Sequence, residues 1–452
     1  MEHNNFLPRL LALDSLSIYR GLLKDKVLNK LKTLLICLDK EDIKLRKVVN
    51  LYNDFYFELT KCSTISLKDY IIDKVIFDEN LFSFKIQAVQ GNDSDSVIEK
   101  AVSNDLRGLQ LVSELDPSMI KAEISKLFEN NSAKLIIDGL PDWVLVNQPT
   151  DRLELDHIKR VKDRFNSCKQ WDECLADLKN FHKTYGCGLF ARYIAFVWER
   201  TDGHGYLKGI DNPDAINLDE LVDSQNERSM VIDNTLQFLQ GFPSNNVLLY
   251  GDRGTGKSST VKAILNEYHM QGLRMLEVPK AYLADFPLII RHLNNRAQKF
   301  ILFVDDLVFG DNEENYTSLK AVLEGGLESK TPNIVIYATS NRRHLVKEYF
   351  SERAGLQSSN HNEEVHAGDS MQEKLSLADR FGINVVFSSP DQNKYLEIVD
   401  GIAAKRHLTI EKERMHREAL QWALWYNGRS ARTARQFIDW IEGHDALKSP
   451  KN

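Results

Sequence analysis

The chain has 452 residues, of which 42% are hydrophobic, and a formal net charge of −7. This length allows two or three domains, each with its own core. Acidic and basic residues nearly balance in residues 1–200, and acidic residues are in excess in residues 201–452. Neither half therefore has the net charge of a nucleic-acid-binding domain, although this net charge does not exclude a local basic patch.

Cysteine usage and the apolar segments bear on the compartment. The five cysteines are odd in number and form no C-x-x-C pair, so neither a zinc ribbon nor a closed disulfide framework fits. We therefore expect a reducing, cytoplasmic environment. Charged residues interrupt the apolar stripe of residues 28–36, so we expect neither a signal peptide nor a membrane span.

The first part of the chain, residues 1–205, is predicted to be a mostly helical domain. Apolar residues recur at three- and four-residue spacing in residues 22–38, 48–59 and 161–181. Two short segments that are mostly apolar, residues 134–137 and 143–146, could be short strands. This domain has no motif with recognisable chemistry, so recognition of a client or partner is its expected role.

A segment rich in Gly, Asp, Asn and Pro, residues 201–217, is predicted to be a linker that contains the domain boundary. From residue 216 strands and helices alternate, which is typical of a parallel sheet with crossover helices. The predicted strands are residues 247–250, 273–278, 300–304, 333–339 and 384–387. We therefore predict an α/β domain over residues 206–390.

The end of the chain is predicted to be all-helical. After Pro390 come three helix-like segments and no further strand pattern. The segments are residues 392–405, 412–426 and 430–442. The third domain is therefore a small helical one over residues 391–452.

Residues 251–258 read G-D-R-G-T-G-K-S and directly follow the apolar run 247–250. A strand, such a loop and a helix in this order are typical of a phosphate-binding loop. The backbone N–H groups of such a loop surround phosphate oxygens, and glycine is needed at the positions where a Cβ would obstruct this approach. Lys257 would reach the β- and γ-phosphates, and the Ser258 hydroxyl would hold Mg²⁺. The expected nucleotide-binding residues are Gly251, Asp252, Arg253, Gly254, Thr255, Gly256, Lys257, Ser258 and Ser259.

A second nucleotide motif is predicted where the apolar strand 300–304 ends in two carboxylates. Asp305 would hold Mg²⁺ through water, and Asp306 would orient the water that attacks the γ-phosphate. Glu is often found at the second position in P-loop enzymes of this type, and Asp306 is one methylene shorter. The sequence therefore leaves the rate of hydrolysis open, and a charged turn after a buried strand is the alternative.

Asn341 and Arg380 are candidates for contacts with the transferred phosphoryl group. Asn341 follows a buried strand, and in such sheets the strand ends meet at one ligand edge, although a turn former is the alternative. Arg380 precedes the last strand and is too far along this topology to serve its own loop, so it suits an arginine finger given to a neighbouring subunit. The alternatives are a surface pair of Arg380 with Asp379, and Arg342 or Arg343 as the finger.

The last predicted helix begins with arginines at three-residue spacing. Arg429, Arg432 and Arg435 therefore share one face of the helix. Arg432 is our candidate for a contact with the γ-phosphate from the helical domain. A solvated basic face is the alternative.

Taken together, the motifs and their order resemble AAA+ ATPases. Over roughly residues 205–445 the chain closely resembles a bacterial family of AAA+-type ATP-binding proteins that has only a domain-of-unknown-function label. The segments that carry this resemblance are residues 246–258, 299–307, 321–328, 337–346, 372–382 and 428–437.

This resemblance implies an AAA+ P-loop NTPase core with a parallel five-stranded sheet, a C-terminal helical lid and a mostly helical N-terminal domain. It implies Walker A at residues 251–258, Walker B at Asp305 and Asp306, and ATP with Mg²⁺ as the bound species. It also implies roles for three residues outside these two motifs. Asn341 would be sensor 1, Arg380 the finger and Arg432 sensor 2. Residues 216–222 resemble the adenine-side linker of such ATPases, but Asp223 stands where a Gly usually follows.

Three functions are compatible with these features. The leading hypothesis is a homo-oligomeric ATPase, such as a ring, that remodels an unknown protein client and has no membrane partner. The second is a nucleotide-gated DNA loader or initiator with slow turnover, which the charge balance disfavours. The third is a metabolite kinase, which the helical lid and the trans-acting arginine fit less well.

Overall fold

The computed structural model describes residues 6–40, 43–62, 66–87, 96–128, 130–143, 154–294, 296–307, 313–324, 331–341, 378–426 and 428–448. The chain divides into two compact units, Met1–Arg192 and Tyr193–Asn452. Among the described residues, none of the helices is both long and apolar enough to cross a membrane.

The described part of the first unit is helical. Its α-helices are α1 Leu7–Asp14, α2 Lys26–Leu38, α3 Leu45–Thr60, α4 Leu67–Phe77, α5 Leu81–Gln87, α6 Ser96–Ser113, α7 Pro117–Leu127, α8 Asn131–Asp138, α9 Asp156–Ser167, α10 Leu175–Tyr185 and α11 Gly188–Arg192. Two 3₁₀ helices, Ile18–Lys24 and Trp171–Cys174, lie between them. One apolar cluster joins them, with Leu31, Phe55 and Leu106 fully buried.

One local prediction for this unit was wrong. Residues 134–137 are part of helix α8 and not of a strand, because the Asn130 side chain accepts a hydrogen bond from Ala133 N at 2.6 Å and caps the helix. The helical spacing of residues 161–181 belongs to two helices, α9 and α10, with the 3₁₀ helix Trp171–Cys174 between them. Residues 144–146 of the other predicted strand lie outside the described residues.

The carboxylate of Asp105 holds the start of the first 3₁₀ helix. It is 3% exposed and accepts hydrogen bonds from the backbone N–H groups of Ser17, Ile18 and Tyr19 at 2.8 to 3.1 Å. We expect Asp105→Ala to lower the free energy of unfolding by about 3 kcal/mol, because buried N–H groups lose their acceptor. Asp105→Asn keeps one acceptor oxygen and should cost less. Urea unfolding of the full chain, followed by circular dichroism, checks both variants, and equal stability of wild type and Asp105→Ala would contradict the prediction.

In the described part of the second unit, seven strands form one sheet. The strands are β1 Ala195–Thr201, β2 His204–Gly209, β3 Val247–Gly251, β4 Leu273–Glu277, β5 Lys299–Val304, β6 Ile334–Ser340 and β7 Ile383–Phe387. Their order is β2-β1-β4-β5-β6-β3-β7, and β4, β5, β6, β3 and β7 are parallel. The predicted parallel five-stranded core is thus confirmed, with bounds that differ by one residue or less at each end.

The hairpin of β1 and β2 corrects the predicted linker. Residues 201–209 lie in this hairpin, and β1 pairs in parallel with β4, so the hairpin extends the sheet of the second unit. Its two turn residues, Asp202 and Gly203, have φ of 52° and 80°. Asp-Gly is a common pair in such a two-residue turn because both positions require positive φ. A linker and a tight hairpin are both rich in Gly, Asp and Asn, so composition alone does not distinguish them. The Asp202-Gly203 pair is the sequence signal that indicates a hairpin.

Helices flank the sheet. They are α12 Gln225–Leu239, α13 Lys257–Tyr268, α14 Phe286–Leu293 and α15 Glu313–Glu324, with three 3₁₀ helices at Leu218–Glu220, His269–Gln271 and Lys280–Asp285. Helix α13 starts directly behind the loop that follows β3. The chain order therefore places the start of α13 at the carboxyl edge of the parallel strands, where ligands bind in open α/β sheets.

Three helices follow the last strand, as predicted. They are α16 Gln392–Lys405, α17 Lys412–Trp425 and α18 Ala431–Lys448. They share an apolar cluster of their own, in which Tyr395, Val399 and Phe437 are fully buried. The three helices, which form the predicted helical lid, therefore have a hydrophobic core of their own.

Candidate nucleotide-binding site

The loop between β3 and α13 has the backbone conformation that its glycines allow. Gly251, Gly254 and Gly256 have φ of 134°, 76° and 94°, a region that residues with a Cβ rarely adopt. A Cβ on Gly251 would also lie 2.0 Å from the carbonyl oxygen of Phe387. The Thr255 hydroxyl donates to Asp252 O at 2.9 Å and closes the loop from inside.

Lys257 is the first residue of α13 and its side chain is buried in the loop. The ammonium donates to Gly251 O at 2.9 Å and to Asp252 O at 2.6 Å. Burial lowers the pKa of this ammonium, and the carboxylates of Asp252 and Asp305 oppose the change. The two carbonyl oxygens thus hold the lysine Nζ inside the loop, close to the backbone that would surround phosphate oxygens.

A cavity of about 570 Å³ opens beside this loop. Residues 253–259 line it, together with Asp305, Asp306 and Asn341. Gly251 and Asp252, which we predicted as nucleotide-binding residues, lie in the same loop but are not among the lining residues. Most of the predicted site is therefore gathered around one cavity, which has a volume typical of ligand pockets.

Asp305 lies between the loop and the neighbouring strand. Its Oδ1 accepts hydrogen bonds from Ser258 Oγ at 2.6 Å and from Thr339 Oγ1 at 2.5 Å. Hydroxyl and carboxylate oxygens are the ligands that Mg²⁺ prefers, so the chemistry of Ser258 and Asp305 fits this ion. Thr339 also accepts from Asp306 N at 2.9 Å and so fixes both carboxylate residues.

Thr339 was not predicted from the sequence, since nothing in its own strand marks it as functional. We expect Thr339→Val, which has nearly the same shape, to raise the Mg²⁺ concentration needed for half-maximal activity by about ten-fold, because Asp305 loses the group that orients it. Magnesium titrations of ATP turnover check this. Thr235→Val is the control, because it also removes the buried hydroxyl of a threonine, here one that is hydrogen-bonded to Tyr337. Equal magnesium dependence of Thr339→Val and wild type would contradict the prediction.

Asp306 has an uncommon backbone conformation at the edge of the cavity. Its φ is 51°, in the left-handed region that costs free energy for a residue with a Cβ and that Asp adopts more readily than most residues. Its Oδ1 accepts from Asn341 Nδ2 at 2.6 Å, and its Oδ2 lies 3.3 Å from Lys280 Nζ. Lys280 follows β4, and only the order of the strands brings it to Asp306, so no pattern in the sequence predicted this contact.

The candidate arginines are in different surroundings. Arg380 is bonded to Glu324 at 2.6 Å and is not among the residues that line the cavity. Arg432 and Arg435 do line the cavity, whereas Arg429 bonds to Gln392 at 3.2 Å. Arg342 and Arg343 lie outside the described residues, as do parts of the segments 321–328, 337–346 and 372–382.

The other end of the cavity is formed by the predicted adenine-side linker. Leu221, Val222 and Asp223 line it. The positive φ that a Gly would supply is found one residue later, at Ser224 with φ 59°. Arg228, buried in α12, donates to the carbonyl oxygen of Asp223 and holds this turn. Ser224 and Arg228 therefore maintain the turn without the usual glycine.

One known protein family matches the second unit of the chain. The family described as "Protein of unknown function (DUF815)" matches residues 191–445, more than half of the chain. The chain belongs to this family. The predicted membership in an AAA+ family with a domain-of-unknown-function label is thus confirmed, and the matched range of the DUF815 family covers the sheet, the cavity and most of the lid.

Individual proteins of known name or structure match the chain over short ranges or at low identity. The 26S proteasome regulatory subunit 4 homolog of Schizosaccharomyces pombe is 37% identical over 70 residues, which are 14% of this DUF815 chain and 16% of that protein. The Thermotoga maritima RuvB Holliday junction branch migration motor aligns with 14% identity over 50% of this chain and 71% of that chain, with a TM-score of 0.30. A RuvB mutant gives 15% identity and a TM-score of 0.31 over the same shares. At this level the RuvB similarity carries no argument about function.

Proposed function

We propose that this protein is an AAA+-type ATPase that binds Mg·ATP in the cavity and hydrolyses it to drive a conformational change or the remodelling of a protein client. The observation that carries the proposal is the 2.6 Å contact of Ser258 Oγ with Asp305 Oδ1. It joins the Walker A loop to the Walker B strand at the cavity wall. Two motifs that are far apart in the sequence thus supply one set of oxygen ligands beside a phosphate-binding loop.

Each side chain has a role in this mechanism. The N–H groups of the loop and Lys257 hold the β- and γ-phosphates, and Ser258 and Asp305 hold the ion. Mg²⁺ would supply neutralisation of phosphate charge. Asp306 orients the attacking water, and Asn341, which bonds to Asp306 at 2.6 Å, keeps that carboxylate aligned. Arg432, on the lid helix α18, contacts the γ-phosphate.

Transition-state charge on the phosphoryl oxygens requires a further cation. Arg380 lies outside the cavity of its own chain, which supports an action on a neighbouring subunit in a homo-oligomer. Its pairing with Glu324 keeps the guanidinium in one place until a neighbour binds. We further propose that the first unit recognises the client and that the protein works in the cytoplasm.

The alternative, a nucleotide-gated DNA loader or initiator, depends on Arg429, Arg432 and Arg435 as contacts to phosphates of DNA. Arg432 and Arg435 line the nucleotide cavity, which favours a role toward ATP for two of the three. Binding to DNA that weakens steeply with salt would support the loader, since neutralised phosphates release counterions. Stimulation of turnover by an unfolded protein would support the remodelling ATPase.

The first experiment is light scattering combined with phosphate release on the same samples of wild-type protein, with and without Mg·ATP. We expect ATP to drive assembly and assembly to accompany turnover. A monomer that hydrolyses ATP at the same rate at every protein concentration would exclude the inter-subunit site. A protein that does not bind ATP would exclude the proposed function as a whole.

A further inference from the structure

The Walker A loop is hydrogen-bonded to the segment that leads into the helical lid and to the start of the last lid helix, α18. Asp252 N donates to the O of Phe387, the last residue of β7, at 3.2 Å, and the Asp252 carboxylate accepts at 3.2 Å from the N–H of Ser389, in the connection between β7 and α16. At the start of the last lid helix, Arg432 N donates to Gly254 O at 3.1 Å. The loop thus has bonds to the connection that leads into the lid and to a lid helix that starts about forty residues further along the chain.

The contact with α18 is close as well as polar. A Cβ on Gly254 would lie 2.8 Å from Ser430 Oγ and 3.2 Å from Arg432 Cβ. Ser430 is buried and accepts from Thr433 N at 3.1 Å, so it caps α18 at the point of contact. Gly254 therefore has a second reason to lack a side chain, beyond the approach of phosphate.

The bond between Arg432 N and Gly254 O determines where one N–H group of the loop points. A peptide group is planar and trans, so its N–H points opposite to its C=O. Since Gly254 O is directed at Arg432 N, the N–H of Thr255 is directed away from α18. The start of the lid helix thereby orients one of the donors that a phosphate-binding loop must present.

Asp252 makes the corresponding bond at the entry of the lid. The side chain and backbone N–H of Ser389 both donate to the carboxylate, and these hydrogen bonds lower the pKa of Asp252. Since Asp252 is absent from the cavity lining, its carboxylate contributes to the loop through Ser389 and not through the nucleotide. A bare carboxylate beside a triphosphate would otherwise weaken binding by repulsion.

We propose that Asp252 is a positioning residue that fastens the Walker A loop to the lid entry at Ser389, so that nucleotide affinity and lid attachment are coupled. The inference rests on the proposed function, because it assumes that nucleotide binds at this loop. Coupling of this kind is reciprocal, so nucleotide that orders the loop must also order the lid entry.

The test compares Asp252→Ala with Asp252→Asn in binding of Mg·ATP by calorimetry. Asp252→Ala removes the acceptor, and we expect affinity about ten-fold weaker than wild type. Asp252→Asn keeps an acceptor oxygen and removes the negative charge, so its affinity should equal or exceed that of wild type. Direct repulsion of phosphate predicts the reverse for Ala, namely tighter binding in both variants. Tighter or unchanged binding by Asp252→Ala therefore overturns the inference.

Hydrogen exchange on the same proteins supplies a second readout. In wild type, Mg·ATP should slow exchange in residues 388–391 as well as in the loop, and in Asp252→Ala the slowing at residues 388–391 should be lost. Glu397→Ala, which removes an exposed lid carboxylate bonded to Lys394, is the matched control and should behave as wild type. If wild type does not bind ATP, the proposed function fails; if it binds and the variants match it in both readouts, only the inference fails.

Discussion

Arg380→Ala should lower ATP turnover by about a thousand-fold while ATP affinity stays within about two-fold of wild type. An arginine finger stabilises charge on the transferring phosphoryl group and contributes little to binding of the ground state. Arg380 lies outside its own cavity, where it pairs with Glu324, so its removal leaves the binding residues in place. Phosphate release and calorimetry on the same sample measure the two effects.

Mixing two inactive variants distinguishes action on a neighbour from action within one chain. Lys257→Ala should not hold phosphate but still carries Arg380, and Arg380→Ala has an intact cavity. If the finger acts between subunits, mixtures should regain part of the wild-type turnover that each variant lacks alone. Mixtures that assemble by light scattering but stay inactive would indicate that Arg380 serves its own chain or none.

A matched surface arginine is needed because loss of an ion pair could also affect stability. Arg164 in the first unit bonds to Asp177 at 3.0 Å, as Arg380 bonds to Glu324. We expect Arg164→Ala to keep wild-type turnover, since exposed ion pairs contribute little to stability. Equal losses in Arg164→Ala and Arg380→Ala would point to a general effect on folding.

The parallel core could be predicted because each of its features is local in sequence. The strands β3 and β5 are continuous apolar runs, as expected for strands buried on both faces, and each ends in residues with recognisable chemistry. The glycines of the Walker A loop and the polar ends of neighbouring strands meet at one edge because the strands are parallel. The order of the motifs and the topology of a parallel sheet were therefore enough to predict which residues lie together at the nucleotide-binding site.

The missed features depend on contacts between distant segments. Lys280 reaches Asp306 only because β4 pairs with β5, and Thr339 reaches Asp305 only because β6 lies on the other side of β5. The mostly apolar segment 134–137 favours a strand by composition, but the Asn130 cap decides for a helix. A pattern within one segment cannot reveal a partner on another strand, and it gives a single capping residue less weight than three consecutive apolar residues.

Asp306→Asn should lower turnover by a factor of about a hundred or more while the protein still binds ATP. The change removes the negative charge that orients and polarises the attacking water and keeps the size of the side chain. It should also keep the backbone, because Asn tolerates the left-handed conformation that Asp306 adopts with φ 51°. The comparison thus isolates charge from shape.

Asp202 offers a matched control, since it is a second aspartate with positive φ, 52°, in the turn of the β1–β2 hairpin. Asp202→Asn makes the same chemical change in the same backbone region and should leave phosphate release unaltered. We expect Asp306→Asn to stay assembled with bound ATP, because binding is intact and the step that would reset the assembly is slow. Fast turnover in Asp306→Asn would mean that another group positions the water, whereas slow turnover in wild type as well would favour the nucleotide-gated alternative, in which ATP mainly drives assembly.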